Sequence, residues 1–321
     1  MTTKTGGAAL VEALKAGGVD KIFCVPGESY LAALDALVDS GIDVVTCRHE
    51  GGASFMAEAY GKLTGRVGVC FVTRGPGACN ASIGLHTARQ DSTPYLLLIG
   101  QVARGDIGRE AFQEVDYRQM LGGATAKDVH EADNADTLAA LVTDALAVAA
   151  SGRPGPIAIS LPEDVLTDLS KAPSPTVKQA VVPQPSMAQM EELRRLLSRA
   201  EKPLLVLGGN TWQDGEIELL QDFCAGIGLP VVVSFRRQDV FDNQSAAYAG
   251  ALGTTVDARL LQAARDSDLV IAVGTRIGDI MTQGYTLWTP PKMTAKLVHV
   301  YPSAAELGRV WQPDLAIHAD V

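Results

Sequence analysis

The feature that most constrains the fold is a repeated alternation of short apolar runs with segments of helical period. KIFCV (21–25), IDVVTC (42–47), VGVCFVT (67–73), PYLLLIGQ (94–101) and PIAISLP (156–162) are apolar at both alternating sets of positions. Such strands have no face for water, so they belong in a parallel sheet covered on both sides. Between them, AALVEALKAGG, SYLAALDALVDSG, 52–64, 78–89 and DTLAALVTDALAVAASG read as helices; the first ends in glycine, and the second has a serine start and a glycine stop. In 52–64 the apolar positions are Phe55, Met56, Ala59, Tyr60 and Leu63. Residues 101–133 are less regular. The stretch 170–187 carries four prolines and no period, and reads as an extended linker. The alternation then restarts with helices 188–200, 215–226 and 256–265 and strands PLLVLGG, PVVVSF, LVIAVGT and KLVHVYP. The expected fold class is α/β, with two doubly wound parallel-sheet domains, 1–169 and a Rossmann-like 188–321.

Length agrees: 321 residues suit two domains at ~100–200 residues each. A formal charge of −10 without any basic run argues against nucleic acid or an anionic membrane surface as partner. No apolar stretch approaches the ~20 residues of a membrane span. The five cysteines lack metal-finger spacing, and an odd count does not suit a secreted disulfide framework. They read as small hydrophobes in a reducing, cytoplasmic chain, with no metal site. There is no G-x-x-x-x-G-K-[ST], G-x-S-x-G, H-E-x-x-H or proper G-x-G-x-x-G. Phosphate-loop kinases, α/β-hydrolases, zincins and ordinary nicotinamide dehydrogenases lose ground accordingly.

In an open parallel sheet, ligands bind beyond the carboxyl ends of the strands. Four such ends are informative: Pro26-Gly27-Glu28-Ser29, Arg48-His49-Glu50-Gly51-Gly52, Thr73-Arg74-Gly75-Pro76-Gly77-Ala78-Cys79-Asn80, and Gly100-Gln101 leading to Ala111-Phe112-Gln113-Glu114. Singly, each has a plain reading. Glu50 suits the first turn of a helix, Gly75-Pro76-Gly77 a tight turn, and Glu28 a solvated cap. His49 reads as structural. Together they set two carboxylates and several glycines on one rim.

The strings "FCVPGE", "RHEGGASFMAEAYGKLTG", "TRGPGACN" and "GQVARGDIGREAFQEVDY" resemble the pyrimidine-binding domain of thiamine-diphosphate enzymes, most closely the acetohydroxyacid synthase branch. "RAEKPLLVLGGNTWQDG", "GALGTTVDARLLQAARDSDLVIAVGTRIGD" and "KLVHVYPSAAELGRVWQPDLAIHAD" resemble that family's central domain, so the likeness covers about the whole chain. It implies that Glu50 hydrogen-bonds the cofactor's aminopyrimidine and promotes its imino tautomer, which deprotonates the thiazolium C2. An apolar crevice around Glu50 would favour sharing that proton. Gly51 and Gly52 would leave room for the ring. Pro26, Gly27, Gly75, Pro76, Gly77 and Asn80 would line the cofactor site. Phe112 and Gln113 would face a small 2-oxo acid or aldehyde. Lys127 would sit at the pocket mouth or, equally, be an exposed loop lysine. Relatives build each site from two subunits, so a homodimer or tetramer is expected. Apolar surface in 78–100 is its candidate interface.

Departures from the family pattern qualify this reading. Glu28 stands where acetohydroxyacid synthases have a second glycine, and suggests a second acid/base group or a polar substrate. Arg74 replaces a small residue and suggests an anionic substrate or a neighbouring subunit. The flavin-contacting stretch is only partly matched, so FAD is not favoured. No Gly-Asp-Gly is present, which places the Mg²⁺ and diphosphate site on a C-terminal domain outside this chain. The chain is then a fragment, the favoured reading, or one half of a split enzyme, and inactive alone. The expected function is the N-terminal part of an acetolactate synthase-like 2-oxo-acid carboligase or decarboxylase. The alternatives are a non-catalytic nucleotide-binding or regulatory subunit and, more weakly, a nicotinamide oxidoreductase.

Overall fold

The computed structural model describes residues 3–177, 182–209, 212 and 215–321. It divides into two compact units, Met1–Val181 and Val182–Val321. Part of the linker expected at 170–187 (178–181) lies outside the described residues.

The first unit runs β1 (Lys4–Thr5), α1 (Gly6–Ala16), β2 (Lys21–Cys24), α2 (Leu31–Leu37), β3 (Asp43–Thr46), α3 (Glu50–Thr64), β4 (Gly68–Val72), α4 (Pro76–Asp91), β5 (Tyr95–Gln101), α5 (Tyr117–Leu121), β6 (Asp128–Glu131), α6 (Ala135–Ala150), β7 (Pro156–Pro162), α7 (Glu163–Thr167) and β8 (Leu169–Ser170). Six strands form one parallel sheet in the order β3-β2-β4-β5-β7-β6, and β1 pairs antiparallel with β8. Alternate strand residues serve opposite cores. Ile22, Val69, Phe71, Leu96 and Leu98 pack toward α1 and α6, whereas Phe23, Cys70, Val72, Tyr95, Leu97 and Ile99 pack toward α3 and α4. This double burial is why the strands are apolar throughout.

The second unit runs α8 (Met187–Arg199), β9 (Pro203–Leu207), α9 (Glu216–Ile227), β10 (Val231–Val233), β11 (Tyr248–Ala251), α10 (Ala258–Arg265), β12 (Leu269–Val273), β13 (Lys296–Tyr301) and β14 (Leu315–His318). Its sheet is also parallel, ordered β11-β10-β9-β12-β13-β14. This is the Rossmann order, with a switch point between β9 and β12.

The short β1, α7 and β8 escaped the sequence pattern, and so did α5, β6, β11 and β14. β6 and α5 lie within the stretch read as irregular, and β11 and β14 are edge strands. Edge strands bury less, so DVHE, YAGA and LAIH lack the apolar runs that betray central strands. The helix expected at 52–64 starts two residues earlier, at Glu50, and its apolar stripe faces outward. Phe55, Met56 and Leu63 are exposed. Ala53, Ser54, Ala57, Glu58 and Gly61 form the buried face.

That inner face is small because α4 approaches closely. A Cβ on Gly84 of α4 would stand 2.3 Å from Ser54 Oγ. The Ser54 hydroxyl lies 2.7 Å from both the Ala81 carbonyl and Tyr95 Oη, which satisfies it in the core. We expect Gly84→Ala to destabilise the chain by about 1–3 kcal/mol through overpacking. Gly52→Ala, with nothing within 4 Å of its added Cβ, should be neutral or stabilising by up to ~1 kcal/mol. Urea unfolding of the two variants measures the contrast.

Candidate functional site

Glu50 is placed by the start of α3. His49 is the N-cap, in an extended conformation, and its Nδ1 accepts the Gly51 N–H at 3.0 Å. Glu50 is thus the first helical residue, where the helix dipole favours a carboxylate. Its side chain is half-buried. Asn80 Nδ2, from the second turn of α4, donates to Glu50 Oε2 at 2.9 Å. Oε1 receives no hydrogen bond among the described residues. It faces Gly77, where an added Cβ would stand 3.6 Å from it and, more tightly, 3.0 Å from Thr73 Cγ2. This chain does not itself enclose Glu50 in the expected apolar crevice, because the carboxylate follows β3, an edge strand.

The glycines around it have different causes. A Cβ on Gly51 would meet the His49 ring at 3.0 Å and the Asn80 carbonyl at 3.4 Å, so Gly51 serves the cap and the α3–α4 contact. Only Gly52 opens onto free space. A Cβ on Gly27 would strike Thr73 at 2.5 Å, which makes Gly27 a packing glycine beside exposed Pro26. Gly75 has φ +58 and caps α4, with Pro76 as the first helical residue. Its N–H donates to Tyr117 Oη at 2.9 Å, and a Cβ there would collide with Gln113 at 2.8 Å. Burial pushes the Tyr117 hydroxyl up to about 12, so it remains protonated at neutral pH.

The Gly75 turn therefore seats the loop that carries Phe112 and Gln113. Glu114 closes this loop by accepting the Gly108 and Ala111 N–H groups, and the Gly108 amide above all lowers its pKa. Gln113 and Glu110 adopt φ of +65 and +54, conformations that cost non-glycine residues about 1–2 kcal/mol each. Phe112 points outward, 75% exposed.

Arg74 is the most buried charge on this rim, only 8% exposed. Its Nε donates to the Phe112 carbonyl at 3.1 Å and its Nη2 to Glu28 Oε1 at 2.9 Å. Nη1 lies 3.6 Å from Glu163 Oε2 and makes no hydrogen bond. Glu28 and Arg74, two separate departures in the sequence, thus pair with each other. Glu28 is engaged as a counter-charge rather than standing free as an acid or base. Glu163 went unnoticed, although it follows PIAISLP and the strand-end logic that flagged the other loops applied to it. Tyr117 and Ser29 lie within motifs quoted above, but nothing in the sequence singles them out as site residues. Ser29 Oγ lies 2.8 Å from Thr73 Oγ1 inside the rim.

Lys127 does not join the site. It precedes β6, at the amino end of the parallel strands, opposite the rim. Its Nζ donates to the Val148 and Ser151 carbonyls at 2.6 and 2.7 Å, closing the end of α6. Burial, with Arg89 and Arg153 nearby, pulls its pKa down to about 8. Among the described residues no group of three or more His, Cys, Asp and Glu could hold a metal ion, and no helix is long and apolar enough to cross a membrane.

Two family models match this chain. One, thiamine pyrophosphate enzyme, N-terminal TPP binding domain, covers residues 4–120, and the other, thiamine pyrophosphate enzyme, central domain, covers 190–321. The acetolactate synthase isozyme 2 large subunit of Escherichia coli K12 is 34% identical over 319 residues, 98% of this chain and 57% of that protein. The acetolactate synthase of Mycobacterium bovis is 34% identical over 322 residues, 99% of this chain and 52% of the relative. The large subunit from Lactococcus lactis is 33% identical over 325 residues, 99% and 56% respectively. The chain thus spans little more than half the length of these relatives. Two domain models in family order, on two parallel-sheet units and a rim built around Glu50, place the chain in the thiamine pyrophosphate enzyme family.

Proposed function

We propose that this chain is the pyrimidine-binding part of a thiamine-diphosphate enzyme of acetolactate synthase type, one that makes or breaks the bond beside the carbonyl of a small 2-oxo acid. The observation that carries this reading is the asymmetry of the Glu50 carboxylate. Asn80 holds Oε2, while Oε1 is left without a hydrogen bond beside the Gly77 notch.

A flat, nitrogen-bearing ring fits that arrangement. Gly77 leaves only backbone beside Oε1, and a carboxyl oxygen there can take or return a proton to a ring nitrogen. Asn80 stops the carboxyl plane from turning away, and the His49 cap fixes the helix end that carries it. The diphosphate and its Mg²⁺ are assigned to a domain outside this chain, which contains no Gly-Asp-Gly. Bound thiamine diphosphate supplies a nucleophilic carbon and an electron sink that side chains lack. In this reading Glu28 anchors Arg74, Phe112 is presented toward substrate or a second polypeptide, and Lys127 has no catalytic part. Apolar surface on 78–100 is smaller than the sequence suggested, since β5 is wholly buried. The exposed Phe55, Met56 and Leu63 of α3, with Ile83 of α4, support a face shared with a second copy.

Three outcomes test this. In the longer enzyme, Glu50→Gln should retain the fold, because an amide oxygen still accepts from Asn80. It should lose about 10²-fold or more in activity, together with C2 hydrogen–deuterium exchange of the bound cofactor followed by NMR. Wild-type exchange in that variant would refute the role of Glu50. The 321-residue chain alone should bind thiamine diphosphate and Mg²⁺ more weakly than micromolar in calorimetric titration. One charge-assisted hydrogen bond gives only ~1.5–3 kcal/mol against an association cost of ~4–15 kcal/mol. Finally, light scattering at tens of micromolar should report a mass of two chains or more, and a monomer would remove the shared-face proposal.

A further inference from the structure

We propose that Arg74 is a positioning residue: its buried guanidinium fastens the 108–114 loop over the Gly75–Pro76–Gly77 turn, and Glu28 is the counter-charge that keeps it there. The functional meaning of this device rests on the reading of the rim given above. Its geometry does not. A buried charge is costly unless it is paired and hydrogen-bonded. Arg74 meets most of that demand by spreading its planar fork over three segments: Nη2 donates to Glu28 after β2 and Nε to the Phe112 carbonyl beyond β5, while Nη1 faces Glu163 after β7 at 3.6 Å without a hydrogen bond. The Phe112 carbonyl is the only uncharged group of the three. It precedes Gln113, whose positive φ is sustained only if the surrounding structure over-determines it. Glu114 closes the loop on itself through the Gly108 and Ala111 amides. Nothing in that internal closure ties the loop to β4. The Arg74 Nε bond does, and it acts next to Gly75, where a Cβ would strike Gln113.

The pairing also explains why Glu28 and Arg74 stand together in this chain. Arginine at 74 without an acid at 28 would leave Nη2 buried without its charged partner. A lysine at 74 carries the same charge, but its donors share one nitrogen on a flexible stem, so it lacks the rigid Nε and Nη2 pair that meets the Phe112 carbonyl and Glu28 from separate atoms.

Amide hydrogen exchange in the 321-residue chain tests this, with no cofactor present. Arg74→Met and Arg74→Lys should both accelerate exchange at Gly108 and Ala111 by about tenfold or more, as expected for losing a hydrogen bond to a charged group in a locally opening loop. The amides of β5 should be unchanged. Glu28→Gln, at an exposed side chain, should accelerate the same loop amides to a lesser degree. Wild-type protection in Arg74→Lys would show that charge alone suffices and would overturn the proposal. Uniform acceleration reaching β5 would reduce Arg74 to general support of the fold. Should the Arg74 variants fail to fold, Glu28→Gln decides alone, and an unchanged loop would then overturn the proposal. A rim with no connection to thiamine diphosphate would leave these results intact and would show itself only in the Glu50 measurement.

Discussion

The site depends on how closely α3 and α4 can approach. Glu50 begins one helix, and Asn80 and Gly77 belong to the first two turns of the other, so their meeting is set by helix packing. That packing is fixed where Gly84 admits Ser54, and where the Ser54 hydroxyl reaches both the Ala81 carbonyl and Tyr95 Oη in the core. Ala53, Ala57, Ala81 and Ala88 keep the rest of the interface thin. Larger side chains would move the helices apart and separate Glu50 from its partners. The bulky residues of α3 are displaced to its outer face, where they are available to another polypeptide.

The rim is organised by a second constraint, the need to neutralise Arg74. Loops following β2, β4, β5 and β7 converge on one guanidinium. Tyr117, Ser29 and Thr73 satisfy polar groups between them. The hydrogen bonds leave Glu50 Oε1 without one. With Oε2 held by Asn80, the Glu50 carboxylate is preorganised for a single directional contact through Oε1.

Much of the fold was legible because double burial writes itself into composition. Strands such as VGVCFVT and PYLLLIGQ admit no polar face, and their alternation with helical segments leaves little besides two parallel sheets. The edge strands DVHE, YAGA and LAIH were not legible, since half-burial leaves no apolar run. Helix α3 was located by a stripe that turned out to face outward, because its true inner face is built of alanine, serine and glycine, which carry little hydrophobic signal.

The sequence by itself determined the two α/β units, the strand-end loops and the ordered motifs that mark the family, because each of these is written in contiguous residues. Tertiary structure decided the rest. It showed that Gly27, Gly51 and Gly77 are all small where another segment packs close, Gly77 against Thr73 with the Glu50 carboxylate beside it, and it sent Lys127 to the far end of the sheet. It also joined Glu28 to Arg74 across 46 positions. Such pairings depend on which strand ends lie side by side, and strand order in a parallel sheet follows from how the crossover helices pack rather than from any local run of residues.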